Sequence, residues 1–301
     1  MGVGISGSNA PSLLKDIEKA ERAGLDAAWV TSGGLVPDPL AVLAAAATTT
    51  TSIALGTSIV PFLPRHPLAL WQSALGVQQL SHGRLRLGIG PSTRRVATQS
   101  LGLQWPDPHA ALAEYLSILR QLAETGRADF AGAYYQVRDR SEAVDLPLYV
   151  AALRHRAFEL AAAHADGAIS WVAPWRHLQR EALPALHATQ ASARLVVHVP
   201  IALGADRDSA HSAFRRQLGI YPRIAEYRRL FHDLGYANPD GLYEPALMDE
   251  LVLWGNDADV MARMNTLLTA GADELLVTML DVGKGVDGIR EILGTYCQHF
   301  D

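Results

Sequence analysis

Residues 53–89 read IALGTSIVPFLPRHPLALWQSALGVQQLSHGRLRLGI. An apolar run from Ile53 to Val60 comes first, a helical stretch from Pro67 to Leu80 follows, and a second apolar run, Leu85 to Ile89, closes the segment. Runs that are apolar without alternation suit strands buried on both faces, and two joined through a helix make a parallel strand–helix–strand unit. The rhythm extends upstream through a short strand at Gly4–Ile5, a helix from Pro11 to Ala23, a strand at Ala27–Thr31 and a helix from Asp38–Pro39 through Ala47. In the first of these helices Leu13, Leu14, Ile17 and Ala20 share a face, proline sits in the first turn and Gly24 ends it. Downstream, Leu112, Tyr115, Leu116, Leu119 and Leu122 keep helical spacing. Strands are expected at Pro147–Ala152, Gly167–Trp171, Leu195–Ala202 and Glu274–Thr278. Helices are expected at Arg156–Ala165, from Trp175 to about Thr189, and at the end of the chain, finishing near Cys297. Eight strands, each followed by helix, favour a closed (β/α)8 TIM barrel over an open doubly wound sheet. Gly204 to Asn256 breaks the pattern with extra helical segments, Tyr221–Leu230 and Pro245–Trp254. It reads as a helical insertion (204–256) between strands seven and eight, covering one end of a single barrel domain that spans 1–301.

Composition narrows the function classes. Of 301 residues, 49% are hydrophobic and 19% charged, a globular mix that excludes a disordered chain. Lys plus Arg is 26 against 31 Asp plus Glu, a net charge of −5, which argues against a nucleic-acid surface. The single cysteine, Cys297, rules out an internal disulfide and a cysteine-ligated metal cluster. The uncharged stretch Pro39–Pro64 is long enough to raise a membrane span, but Thr48 to Ser52 interrupt it and Gly56, Pro61 and Pro64 follow. No membrane segment and no signal peptide are expected, which points to the cytoplasm. Lysine occurs only at Lys15, Lys19 and Lys284, none placed as a Schiff-base lysine would be.

Several motifs are decoys. Gly2, Gly4 and Gly7 spell a dinucleotide-type glycine pattern, but only Met1 precedes it where a strand is required. The eleven histidines show no i, i+2 or i, i+4 pairing, and no metal site is expected. Asp16/Glu18 and Asp257/Asp259 read as helix-start or surface carboxylates. His66, after the third strand, and His198, within the seventh, are better candidates; for each, a hydrogen-bonded structural role competes with catalysis.

Two segments carry chemistry together: Leu55-Gly56-Thr57-Ser58-Ile59-Val60-Pro61 and Leu80-Ser81-His82-Gly83-Arg84-Leu85-Arg86-Leu87-Gly88-Ile89-Gly90. Ala23 to Val30 (AGLDAAWV) stands before them and Ala165-Asp166-Gly167 after. In this order and spacing they resemble the luciferase-like monooxygenase superfamily, and within it the flavin- or coenzyme F420-dependent oxidoreductases. The resemblance runs from the first strand to the last.

Such barrels hold their sites at the C-terminal ends of the strands. Gly56, Gly88 and Gly90 are expected there, where glycine lets the backbone approach a flat ring; relief of crowding inside the barrel is the alternative. The resemblance implies a non-proline cis peptide at Ser58–Ile59 backing an isoalloxazine or deazaflavin ring, with Ser32 nearby. It further implies phosphate binding in Ala151-Ala152-Leu153-Arg154-His155-Arg156, where Arg154 replaces the family's glycine. The guanidinium can bind phosphate bidentately or block the family pose; Arg156 is the second cation. Several F420-dependent relatives carry an Asp-His pair after strand two and a Glu or His after strand four. Ser32-Gly33 and Thr93 occupy those positions here, and none is a general base.

The expected activity is therefore hydride transfer from reduced F420 to an activated C=C or C=N bond of a small organic substrate, with Ser92 and Thr93 as hydrogen-bond donors. His66 and His198 are the candidate imported bases, and Trp171 and His198 the candidate substrate-pocket residues. An FMN-dependent monooxygenase and a non-catalytic binder are the competing readings. The resemblance also implies a homodimer, joined through the charge-poor helices Pro39–Ala47 and Pro67–Leu80.

Overall fold

Residues 1–237 and 241–282 are described by a computed structural model. The expected last helix, with Cys297, lies outside them. The chain runs β1 (Gly2–Ile5), α1 (Ala10–Arg22), β2 (Ala27–Val30), α2 (Pro39–Thr49) and β3 (Ala54–Thr57). A two-residue strand β4 (Val60–Pro61) precedes α3 (Pro67–Leu80), β5 (Leu85–Gly90) and α4 (Pro108–Thr125). A hairpin of β6 (Arg127–Ala131) and β7 (Gln136–Arg140) leads to β8 (Leu148–Ala151), α5 (His155–His164) and β9 (Gly167–Ser170). Then come α6 (Trp175–His177), α7 (Leu183–Thr189), β10 (Arg194–Leu203), α8 (Arg207–Leu218), α9 (Ala225–Asp233) and α10 (Pro245–Leu251). β11 (Leu253–Gly255), α11 (Asp257–Thr269) and β12 (Glu274–Met279) complete the described chain.

The strands order as β10-β12-β1-β2-β3-β5-β8-β9, and β9 pairs back onto β10, so eight parallel strands close a (β/α)8 barrel. Helices pack outside it because their apolar faces match the outward residues of strands buried on both sides. Side-chain caps fix where several helices begin: Asn9, Asp38, Asp107 and Asp206 each accept from a first-turn backbone N–H, and Asn256 and Asp259 form a reciprocal capping box on α11.

The lower half of the barrel is filled by Trp29, fully buried between strands. Its ring meets Tyr149 edge-on at 5.6 Å. Its Nε1–H donates to Glu274 Oε1 at 2.7 Å, and Arg86 Nη1 donates to Glu274 Oε2 at 2.7 Å. Glu274 opens β12 and Arg86 lies near the start of β5, so this buried ion pair plugs the N-terminal end of the barrel.

The structure departs from the sequence reading in four elements. The apolar run Ile53–Val60 is not one strand: β3 stops at Thr57, the Ser58–Ile59 peptide is cis, and β4 resumes at Val60 to pair with β5. Thr57 ties the break to β5, its hydroxyl donating to Gly88 O (2.8 Å) and accepting from Gly88 N–H (2.9 Å). The hairpin β6–β7 was not expected, because its polar sequence puts mostly exposed residues on both strands. The helix expected to reach Trp254 ends at Leu251; Val252 turns extended and β11 pairs with β10. Between Trp175 and Thr189 the helix passes through a π segment, Leu178–Ala182, just before Pro184, which has no N–H to donate.

Candidate active site

A cavity of about 710 Å³ opens over the C-terminal ends of the strands. The loops after β2 and β5 supply Ser32, Gly33, Ser92 and Thr93, the β3–β4 break supplies Ser58 and Ile59, and β8 supplies Ala151 and Ala152. Trp171, just past β9, and Thr278, on β12, form another wall. α8, α9 and the turn between them bring Gln217, Leu218, Ile220, Tyr221, Glu226 and Tyr227 over the opening. Six of the residues singled out from the sequence as cofactor or substrate contacts thus line one space, and Ser92 and Thr93 join them.

Other expected residues fall elsewhere. Gly56 packs inside the barrel: a Cβ there would meet the Trp29 ring at 2.3 Å. A Cβ on Gly88 would meet Thr57 O at 2.0 Å, and one on Gly90 would meet the Ala151 Cβ at 2.7 Å. These glycines relieve crowding and do not border the cavity, which corrects the expectation of a ring-facing role. His66 is also outside. It is exposed at the N-cap of α3, where its Nδ1 accepts from Leu68 N–H at 3.3 Å, and its ring faces Tyr135.

His198 is behind the wall. Its ring stacks on Trp171, centroids 3.6 Å apart and planes 12° apart. Nδ1 accepts from Val172 N–H at 3.4 Å, which assigns the proton of the neutral ring to Nε2, 3.1 Å from Thr278 Oγ1. Val172 sits at φ 48°, an unusual conformation for a β-branched residue, as it presents this N–H. Complete burial holds the imidazole pKa down at about 3, so the ring is neutral at ordinary pH and is no base.

At the start of α5, where phosphate binding is expected, Arg154 and Arg156 do not border the cavity. Arg154 is the N-cap of α5 and forms an ion pair with Asp233 on α9, while its buried Nη1 has no partner among the described residues. Arg156 is largely exposed and lies 3.5 Å from Asp107.

Hydroxyl groups border the cavity on most sides, from serines, threonines, Tyr221 and Tyr227. Ser58 Oγ and Trp171 Nε1 are buried and make no hydrogen bond among the described residues. Tyr221 lies beside the indole N–H, and burial raises its hydroxyl pKa to about 12, against a smaller lowering by the neighbouring Trp171. Burial also keeps Tyr227 protonated. No Lys, Arg, Asp or His side chain lines the cavity among the described residues; Glu226 is the one carboxylate, exposed at the mouth. Among the described residues no group of three or more His, Cys, Asp or Glu could hold a metal ion. Thr278, Tyr221, Glu226 and Tyr227 were not anticipated. The last three belong to the segment read only as an insertion, and the apolar run ELLVT gives Thr278 no mark of its own.

The family model for luciferase-like monooxygenases matches residues 4–274. The chain belongs to the luciferase-like monooxygenase family. Among its relatives is an F420-dependent glucose-6-phosphate dehydrogenase of Beutenbergia cavernae, 36% identical over 184 residues. That match covers 56% of this chain and 54% of the relative, so it spans about half the relative's length. A 5,10-methylenetetrahydromethanopterin reductase of Archaeoglobus fulgidus is 25% identical over 290 residues, covering 86% of this chain and 87% of that one. A solved F420-dependent secondary alcohol dehydrogenase, in complex with an F420-acetone adduct, superimposes with a TM-score of 0.81 at 17% identity, covering 97% of each chain. At that identity the likeness speaks for the luciferase-like barrel alone.

Proposed function

We propose that the protein is an F420-dependent oxidoreductase that delivers hydride to an activated C=C or C=N bond of a small, uncharged organic substrate. The observation that carries this reading is the cavity itself: hydroxyl, phenol and indole donors surround it, while no histidine or aspartate lines it among the described residues. Alcohol oxidation requires a base near the reacting oxygen with a pKa near the working pH. Hydride addition to an electron-poor double bond requires donors where charge develops.

The residues present fit a deazaflavin. Ser58 Oγ is a buried, unpartnered group beside Ile59, and Ala151 and Ala152 offer a small apolar flank to a flat ring. Ser32 lies at the same end of the barrel. Arg154 and Arg156 flank the start of α5 outside the cavity, paired with Asp233 and Asp107, and would hold an anionic tail by exchanging those carboxylates for it. When bound, the cofactor supplies the hydride. Ser92 and Thr93 orient and donate to the substrate, and the apolar rim of Ile220, Ile224 and Leu218 excludes water. No cation lines the cavity among the described residues, and the activity of the glucose-6-phosphate dehydrogenase relatives is not carried over.

The charge-free helices α2 and α3 support a homodimer. We read residues 1–301 as one barrel domain with 204–256 inserted, working in the cytoplasm. No helix among the described residues is long and apolar enough to cross a membrane.

The test is titration with F420 and with FMN, then turnover. Reduced F420 should bind and be oxidised by enones or imines, with glucose 6-phosphate inert. Tight binding of FMN alone, with oxygen consumption, would favour a monooxygenase; tight binding of neither would favour a non-catalytic binder. Robust alcohol oxidation that disappears in Glu226→Gln would restore a dehydrogenase whose base comes from α9.

A further inference from the structure

We propose that Trp171 and Thr278 form a carbonyl-binding donor pair, positioned by His198, and that the substrate is accordingly a neutral α,β-unsaturated aldehyde or ketone. The substrate assignment deepens the reductase reading above and rests on it; the donor pair itself does not.

The argument starts with the hydrogen-bond inventory. Indole Nε1–H is a donor only. Trp171 borders the cavity; its Nε1–H is buried, lies beside the Tyr221 hydroxyl and makes no hydrogen bond of ordinary geometry among the described residues. A buried donor without an acceptor costs roughly 1–3 kcal/mol, so such a group marks where a ligand acceptor belongs. The indole cannot easily turn away, because its face is stacked on His198 at 3.6 Å.

Thr278 is constrained from the other side of the same imidazole. Val172 N–H occupies His198 Nδ1, so Nε2 carries the ring proton and donates to Thr278 Oγ1. The threonine oxygen is thereby an acceptor toward histidine, and its own O–H is free to donate into the cavity it lines. β9, β10 and β12 are neighbours in the barrel, which brings Trp171, His198 and Thr278 together. Two donors held by one imidazole suit a single oxygen acceptor. A phosphate or carboxylate would also need a cation, and none lines the cavity among the described residues.

The chemistry balances. A C–H bond forms at the β-carbon with hydride from reduced F420, the C=C π pair shifts toward the carbonyl, and negative charge collects on its oxygen. Trp171 Nε1–H and Thr278 O–H strengthen their hydrogen bonds to that oxygen as the charge grows. Water then protonates the α-carbon, the hydroxide left behind is neutralised by the proton that the cofactor sheds on oxidation, and a saturated carbonyl leaves. The substrate gains two electrons and the cofactor loses two. No side-chain base takes part.

The probe is p-dimethylaminocinnamaldehyde, a conjugated aldehyde whose absorption moves to the red when its oxygen receives hydrogen bonds. It is added to the full-length protein without cofactor, and to Trp171→Phe and Thr278→Val, which keep stacking and shape. The expected result is a red shift with the wild type, a smaller one in each variant and none in the double variant. Enone turnover should fall about 10²-fold in kcat per donor removed, with KM changed far less. Thermal melts must show that the variants fold. No red shift at saturating protein, or a shift unchanged in folded variants, overturns the donor pair. The expected shifts without any oxidation of reduced F420 would leave the pair standing and overturn the reductase reading.

Discussion

Gly56→Ala is the sharpest test of how this barrel is built. The added methyl would lie 2.3 Å from Trp29 Cε3 and 2.5 Å from Cδ2, well inside contact distance. Neither partner can yield cheaply: Gly56 is in a parallel strand paired with Trp29 itself, and the ring is fully buried against Tyr149. Overpacking of this kind costs about 1–3 kcal/mol. If the indole tilts to escape, its hydrogen bond to the Glu274 carboxylate is lost as well, adding about 1.5–3 kcal/mol for a bond to a charged group. The expected destabilisation is therefore roughly 1–3 kcal/mol if the indole holds its place and roughly 2.5–6 kcal/mol if it tilts. Urea unfolding followed by tryptophan fluorescence measures it through the midpoint, provided the slope is unchanged. Cofactor affinity of the folded fraction should stay near wild type, because Gly56 does not line the cavity. A variant of wild-type stability that no longer binds cofactor would refute this account and return Gly56 to a ring-facing role.

Other perturbations separate the remaining roles. Glu274→Gln leaves the Arg86 cation, already largely buried, without its counter-charge and should cost about 3 kcal/mol in the same unfolding assay. The neutral His198 makes stability depend on pH: its folded pKa of about 3 is below the usual 6.5, so the unfolded chain binds the extra proton. Its contribution is full above about 6.5 and declines as pH falls from there toward 3; His198→Gln should show a smaller loss of urea midpoint between pH 7 and 4.5 than wild type. Arg154→Ala should weaken F420 binding roughly ten- to hundredfold, as for loss of a charge-assisted bond, and Asp233→Ala should strengthen it by freeing the guanidinium. Tighter binding in Arg154→Ala would mean that the arginine blocks the phosphate. Thr93→Val should slow turnover without abolishing it, measured by reduced-cofactor oxidation; complete loss would mean that the hydroxyl moves an essential proton.

What could be read from the chain alone follows from which forces are local. The barrel was legible because strands buried on both faces must be apolar throughout, and runs such as LRLGI and PLYVAA stand out against the helices between them. Half of the cavity was legible too, since residues just past a strand's C-terminal end, such as Ser58, Thr93 and Trp171, gather there in any barrel of this type. Gly56 was misassigned because its partner, Trp29, is 27 positions away and meets it only through strand register. Thr278 was invisible because its significance depends on a neighbour's tautomer, which depends in turn on the left-handed backbone of Val172. His66 looked like a base for want of any sign that its ring caps a helix. Tyr221 and Tyr227 come from a segment with no strand to anchor the reading, and β6–β7 is too polar to register as strand.

The plug of Trp29, Tyr149, Glu274 and Arg86 governs traffic through the molecule. With the floor shut, whatever the cavity holds enters and leaves at the mouth beneath α9, and on the proposed reading that means both the hydride donor and its acceptor. On that reading a cofactor seated against Ile59 and Ala151 would be the inner occupant and would leave last. Product departure would then clear the doorway before oxidised cofactor is exchanged, and initial-rate kinetics should show a fixed sequence with cofactor first in and last out. Excess substrate would cork the mouth while spent cofactor waits inside, so inhibition at high substrate concentration is a direct kinetic consequence of a barrel closed at one end.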